Sequence, residues 1–121
     1  MKSKYSFEKK ESYLSLTISG AYDKIDFLSY PQIIKDECEK ERTYKVLANA
    51  LNVSGSSSET IERFFFGEKL ADVLGGKIKL AGVWPEKDIN KFAETVANNR
   101  GGYTRIFGDV ETAKKWLLGT A

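Results

Sequence analysis

Ile78-Lys79-Leu80-Ala81-Gly82-Val83-Trp84 opens the part of this chain that decides its fold. The segment is almost continuous in apolar and small residues, as a strand interior to a sheet must be when both of its faces are covered. Pro85 follows, and Ile89, Phe92, Ala93, Val96 and Ala97 then recur at helical spacing, which predicts a helix that starts at the proline and ends at Gly101-Gly102. Tyr103 to Phe107 reads as the next strand. Asp109 caps a last helix over Val110 to Leu118, with Val110, Ala113 and Leu117 turned inward. Strands alternating with helices in this way imply parallel strand pairs joined by crossover helices.

Toward the amino terminus the pattern begins with two short runs of strand formers, Tyr5 to Lys9 and Tyr13 to Ile18. Strict alternation places Leu14, Leu16 and Ile18 on one face, and Glu11-Ser12 between the runs suits an antiparallel hairpin. Ser19-Gly20 breaks the pattern. From about Asp26 to Arg42, Phe27, Tyr30, Ile34 and Cys38 fall at helical spacing, with Asp36 and Lys40 paired at i,i+4. Pro31 belongs in the first turn or at a break, so the helix is expected to begin between residues 25 and 31. Tyr44 to Leu51 reads as a second interior strand that ends at Asn52. Ser56 and Glu59 have the spacing of a capping box at the head of a helix from about Ser57 to Leu74, closed by Gly75-Gly76.

These elements make five strands and four helices in one domain spanning 1–121, an α/β chain in which the central strands, Tyr44 to Leu51 and Ile78 to Trp84, run parallel. Val46, Leu47, Ile78, Leu80, Phe92, Val96 and Ile106 are expected to share one core.

Composition removes whole classes of chemistry. The 121 residues contain no histidine and a single cysteine, Cys38. Histidine-based triads, histidine-ligated metal and intramolecular disulfides are therefore excluded, and no cofactor or metal is expected. Nineteen basic against seventeen acidic side chains leave a net charge of +2 with only thin local basic clusters, so electrostatics proposes neither nucleic acid nor an anionic membrane as partner. No apolar run approaches the roughly 20 residues of a spanning helix. Met1-Lys2-Ser3-Lys4-Tyr5 leads into charge and aromatics without a signal-peptide core, so the cytoplasm is the expected location.

The order of elements is similar to that of the STAS domain, and specifically resembles the bacterial SpoIIAA-like, STAS/SEC14-type branch. The residues that carry the resemblance are Leu16-Thr17-Ile18-Ser19-Gly20, Lys77 to Val83, Ala97-Asn98-Asn99-Arg100-Gly101, and Ile106-Phe107-Gly108-Asp109 leading to Ala113 and Trp116-Leu117. They cover nearly the whole chain and are mostly structural. The resemblance implies a mixed sheet with its helices largely on one face, acting as a non-enzymatic regulatory or protein-interaction module. Anti-sigma-factor antagonists of this type carry Asp-Ser-Ser-Gly after the central strand, where a partner kinase phosphorylates the serine. This chain reads Ser54-Gly55-Ser56-Ser57-Ser58-Glu59, with no acid before the serines and no glycine after them, so no phosphoserine is carried over.

Four sets of residues remain as candidate sites. Ser54, Gly55, Ser56, Ser57 and Ser58 precede a helix, where free amides and the dipole favour an anion or a partner's acidic group; the plainer reading is a loop with its cap. Trp84 and Arg100 are candidates for a pocket rim at the sheet edge, against core packing for the tryptophan and a left-handed helix end for Asn98 to Gly102. Ile61 and Phe65 fall opposite the arc of Phe66, Leu70, Val73 and Leu74 on the second helix, alongside Glu62, Glu68, Lys69 and Asp72. They are expected to be partly exposed and to form a homodimer or partner interface. Cys38 lies on an apolar stripe and reads as a small hydrophobe. Paired carboxylates such as Glu37/Glu41 and Glu59/Glu62 lie on charged helix faces, and nothing tunes them for acid-base work, so no catalytic residue is assigned. The alternative to an interaction module is a carrier or sensor of a small apolar, lipid-like ligand, with Phe64 to Phe66 and Trp84 around a cavity.

Overall fold

The computed structural model describes residues 2–55, 60–85 and 92–119, with side chains for all of these except 60–65, 92, 93 and 97. Its elements are β1 (Ser3–Lys9), β2 (Leu14–Ala21), α1 (Lys24–Glu41), β3 (Lys45–Ser54), α2 (Thr60–Leu74), β4 (Lys79–Val83), α3 (Phe92–Asn99), β5 (Thr104–Phe107) and α4 (Val110–Leu118). The strands form one sheet in the order β1-β2-β3-β4-β5. β1 and β2 pair antiparallel, and every later pair is parallel.

Because spatial order follows chain order, the three crossovers all step the same way across the sheet. Right-handed crossovers that step in one direction place their helices on one face. Accordingly α1, α2 and α3 pack side by side on one face, and α4, which makes no crossover, covers β3, β4 and β5 from the other.

The alternation of each strand thus feeds two cores. Leu14, Leu16, Ile18, Val46, Ala50, Ile78 and Leu80 face Phe27, Tyr30, Ile34 and Cys38 of α1 and Leu70 and Leu74 of α2. Leu47, Ala81 and Val83 point the other way, onto Ala113 and Leu117 of α4, with Tyr13 beside them. The expected single core is corrected on this point: Val46 and Leu47 are neighbours in sequence and lie on opposite faces. Val96 is buried, the Phe92 side chain lies outside the described residues, and Ile106 is only half-buried because its strand is at the sheet edge. Ile106 pairs with Gly82, and a Cβ at Gly82 would stand 2.9 Å from its Cδ1, so the glycine makes room for the isoleucine.

Several element boundaries differ from the sequence reading: β1 begins at Ser3, ahead of Tyr5, and β2 runs through Ser19-Gly20 to Ala21, paired with β1 on one side and β3 on the other. α1 begins at Lys24 because Asp23, in extended backbone, accepts hydrogen bonds from the amides of Ile25 (2.9 Å) and Asp26 (3.1 Å), a cap that stabilises the helix by about 1 kcal/mol. Pro31 is consequently interior to the helix and buried in the core, neither in the first turn nor at a break. β3 continues past Asn52 to Ser54. Thr17 pairs with Asn49 but Ser19 with Asn52, so one residue of β2 stands opposite two of β3. This bulge shifts the phase of the strand and turns Val53 into the core where strict alternation would have placed Asn52.

The two sheet edges are finished differently. At β5 the backbone groups facing away from β4 are met by side chains of α3. Asn98 accepts from the Thr104 amide and donates to the Thr104 carbonyl, both at 3.0 Å, and Glu94 accepts from the Ile106 amide at 2.7 Å. Asn98 and Glu94, one helical turn apart, act as a substitute strand and seal the edge against pairing with another chain. At β1 the amino end is tied to α1. One Asp26 oxygen accepts from the Lys2 amide, the Ser3 amide and the Ser3 hydroxyl, each at 2.9 Å, and that hydroxyl also hydrogen-bonds the Tyr30 phenol.

Candidate functional site

The parallel strands deliver their carboxyl ends to one edge of the sheet, where the turns after β2 and β3 lie side by side. The Tyr22 amide donates to the Ser54 carbonyl at 2.8 Å, and Ala21 pairs with Ser54. Ser54 is the last residue of β3 and is exposed, and Gly55 follows in the left-handed conformation with φ +72°. Ser56, Ser57 and Ser58 lie outside the described residues, so the serine loop is placed by its first two members.

Two apolar residues that the sequence analysis did not single out stand at this edge. Ile25, in the first turn of α1, is 72% exposed, and Leu51, pushed outward at the bulge of β3, is 37% exposed. A signal for Ile25 was available. It sits two residues from Phe27, which is about 200° around a helix and therefore opposite the buried stripe, once Asp23 is recognised as the cap. Leu51 carried no such signal, since it continues an apolar strand until the register shift is known.

The remaining candidates are not brought together. Trp84 follows β4 at the carboxyl edge; its amide donates to the Phe107 carbonyl, and its ring lies 5.4 Å from that of Phe27. Arg100 follows α3, beyond Asn98, which is bonded to the first residue of β5. It is therefore at the amino edge, where it pairs with Glu68 of α2 at 3.3 Å. Ile61 and Phe65 are helical residues of α2 whose side chains lie outside the described residues. Phe66 and Trp84 both pack against Phe27, with ring centroids 6.3 and 5.4 Å away, and so help to close the main core. Trp116 stands on the α4 side between Tyr103 and Phe107.

Cys38 has no exposed surface, and burial pushes its thiol up to about 12, so it is protonated at neutral pH and is no nucleophile. Tyr30 is raised by the same cause, burial. Asp26 is held below the usual carboxylate range, chiefly by the Ser3 amide.

A connected sheet in which every crossover steps the same way has no switch point, and thus lacks the crevice in which open α/β sheets commonly bind ligands. What the carboxyl edge offers is a surface of exposed backbone and small polar side chains with Ile25 and Leu51 beside it. Three solved structures share the fold of this chain. An anti-sigma factor antagonist from Mycobacterium paratuberculosis superimposes with a TM-score of 0.64 at 9% identity, over 96% of this chain and 94% of its own. The anti-sigma factor antagonist SpoIIAA, in its unphosphorylated form, gives 0.54 at 13%, over 98% and 99%. The chain has the SpoIIAA-like fold. A Shewanella loihica protein described by the same fold matches with a TM-score of 0.54 at 20% identity, over 95% of this chain and 93% of that one. No protein-family model and no curated protein matches the sequence. These identities carry the SpoIIAA-like fold across and leave chemistry to the residues themselves. The turn after the central strand is here Ser54-Gly55.

Proposed function

We propose that the chain is a non-enzymatic regulatory module of the cytoplasm that binds a partner protein at the carboxyl edge of its sheet, through Ser54, Gly55 and the adjoining serines together with Ile25. The observation that carries the reading is the 72% exposure of Ile25 three residues after Tyr22, whose amide is bonded to Ser54. An isoleucine that could have been any helix former, placed on a capped first turn beside an exposed loop, is the kind of apolar anchor around which polar interface contacts assemble. The likeness to anti-sigma factor antagonists supports the same reading at the level of fold. Among the described residues no helix is long and apolar enough to cross a membrane.

The interface would extend to Ile61 and Phe65 on α2, where it serves a partner or a second copy of this chain. Against an apolar-ligand carrier, Phe66 and Trp84 pack onto Phe27 and contribute to the main core. The test is affinity capture from the source cells with wild-type and Ile25→Ser bait of equal melting temperature. A protein retained by wild type and lost with Ile25→Ser is the expected result; identical captures from both baits would remove the carboxyl edge as the binding surface.

A further inference from the structure

The opposite end of the sheet carries a second feature. A cleft of about 460 Å³ lies where β3 and β4 begin and the β1–β2 hairpin turns, and its charged lining is Lys9, Arg42, Lys45, Lys77 and Lys79 against one carboxylate, Glu11. The sequence shows only thin basic clusters because these five side chains come from three separate stretches. The fold gathers them: Lys45 and Lys79 are direct partners in the parallel register of β3 and β4, and Lys79 donates its backbone N–H to the Tyr44 carbonyl.

Carboxylates do not neutralise this charge. Among the described residues Arg42, Lys45 and Lys77 form no ion pair. Lys77 lies 4.5 Å over the Tyr44 ring. Lys79 donates to the Trp116 carbonyl at 2.7 Å and sits over the rings of Trp116 and Tyr103. Aromatic faces and a carbonyl hold these ammonium groups in place while leaving their charge available to a ligand.

The arrangement also opposes stability in two places. Like charges directly opposite on neighbouring strands repel. Arg42, the cap after α1, is the one non-glycine residue with positive φ among those described, at +52°, where glycine or asparagine is the usual choice. Strain and repulsion at one predominantly cationic cleft are the marks of a binding site.

We infer that this cleft binds a small molecule through two or more phosphate groups. Phosphate is favoured over carboxylate because five cations line one small cleft, and a phosphate monoester brings close to two negative charges on three acceptor oxygens where a carboxylate brings one. The volume lies within the range of small-molecule sites. The inference stands apart from the partner surface, which is at the other end of the strands.

The test is calorimetric titration with pyrophosphate at low salt, comparing wild type with Lys45→Gln/Lys77→Gln and with Arg42→Gly, and with Lys24→Gln as a control on α1. Saturable binding is expected in wild type and Lys24→Gln, weakened about tenfold or more in both cleft variants. It should also fall steeply as salt rises from about 0.01 to 0.1 M, which shortens the screening length from about 30 to 10 Å. Arg42→Gly relieves the strained cap, and Lys45→Gln relieves the repulsion with Lys79, which offsets the lost contact of Lys77 with Tyr44, so both cleft variants should melt close to wild type or above it, which separates lost binding from lost folding. Citrate, and vesicles bearing a phosphoinositide bisphosphate, complete the series. Binding to the vesicles as well as to pyrophosphate assigns a lipid headgroup, and binding to pyrophosphate alone assigns a free phosphate compound. Absence of binding in wild type, unchanged binding in both cleft variants, or citrate binding as tight as pyrophosphate overturns the inference.

Discussion

Asp26 shows how much a single side chain can organise. Its carboxylate ties the amino end of β1 to α1 through three donors on one oxygen, and these bonds favour the charged form, chiefly that from the Ser3 amide. A carboxylate whose folded pKa is depressed contributes stability that is present above its unfolded value of about 3.9 and is lost as the pH falls through the folded value. Thermal melting of wild type should therefore be flat down to about pH 4 and decline below it, and Asp26→Asn should show a shallower acid decline from a lower plateau. Superimposable acid limbs for the two proteins would show that this carboxylate does not govern acid stability. Cys38 supplies a second residue-scale test. With no exposed surface and a thiol pushed up to about 12, it should stay unreacted toward an aromatic disulfide reagent at pH 7 and react fully in denaturant. Rapid modification of the native protein would mean that α1 opens locally.

Between elements, the contact of α3 with β5 controls whether the sheet ends there. Asn98 satisfies both a donor and an acceptor of Thr104, a residue that is itself buried. Asn98→Ala should cost about 1–3 kcal/mol, because it leaves backbone groups in a partly buried edge without partners. It should also speed amide exchange at Thr104 and raise the tendency to aggregate through the freed edge. Unchanged exchange at Thr104 would show that the seal is not needed. The bulge in β3 works at the same scale. By adding a residue opposite Ile18 it turns Val53 inward and Leu51 outward, so a change in strand register creates part of the exposed surface beside Ser54.

For the whole molecule, the question is what covers the exposed Ile25 of α1, and whether Ile61 and Phe65 of α2 serve a second surface. If Ile61 and Phe65 form a self-association surface, sedimentation velocity should give a dimer for wild type and a monomer for Ile61→Ser/Phe65→Ser of equal melting temperature. A wild-type monomer at all accessible concentrations, with unaltered partner capture by the double variant, would exclude that surface. Partner capture through Ile25 and phosphate binding at the amino edge should be separable, since the two surfaces lie at opposite ends of the parallel strands.

Local pattern determined most of the architecture. Alternation in Leu14 to Ile18, the apolar runs around Val46 and Leu80, and the Phe27-Tyr30-Ile34-Cys38 stripe each depend on a periodicity that one stretch of sequence contains in full, and the alternating order of elements then requires parallel strands. The absence of histidine likewise settled from composition alone which catalytic chemistries are closed. What the sequence left open depends on pairing between distant stretches. The phase shift that buries Val53 and exposes Leu51 follows from register, while the pairing of Arg100 with Glu68 and the edge seal of Asn98 and Glu94 follow from how the helices pack beside one another and against the sheet. The concentration of charge at the amino edge is of the same kind. A net charge of +2 is a sum over the chain, whereas an electric field depends on where the charges lie, and only the parallel register of β3 and β4 sets Lys45 beside Lys79 in a cleft with Arg42 and Lys77.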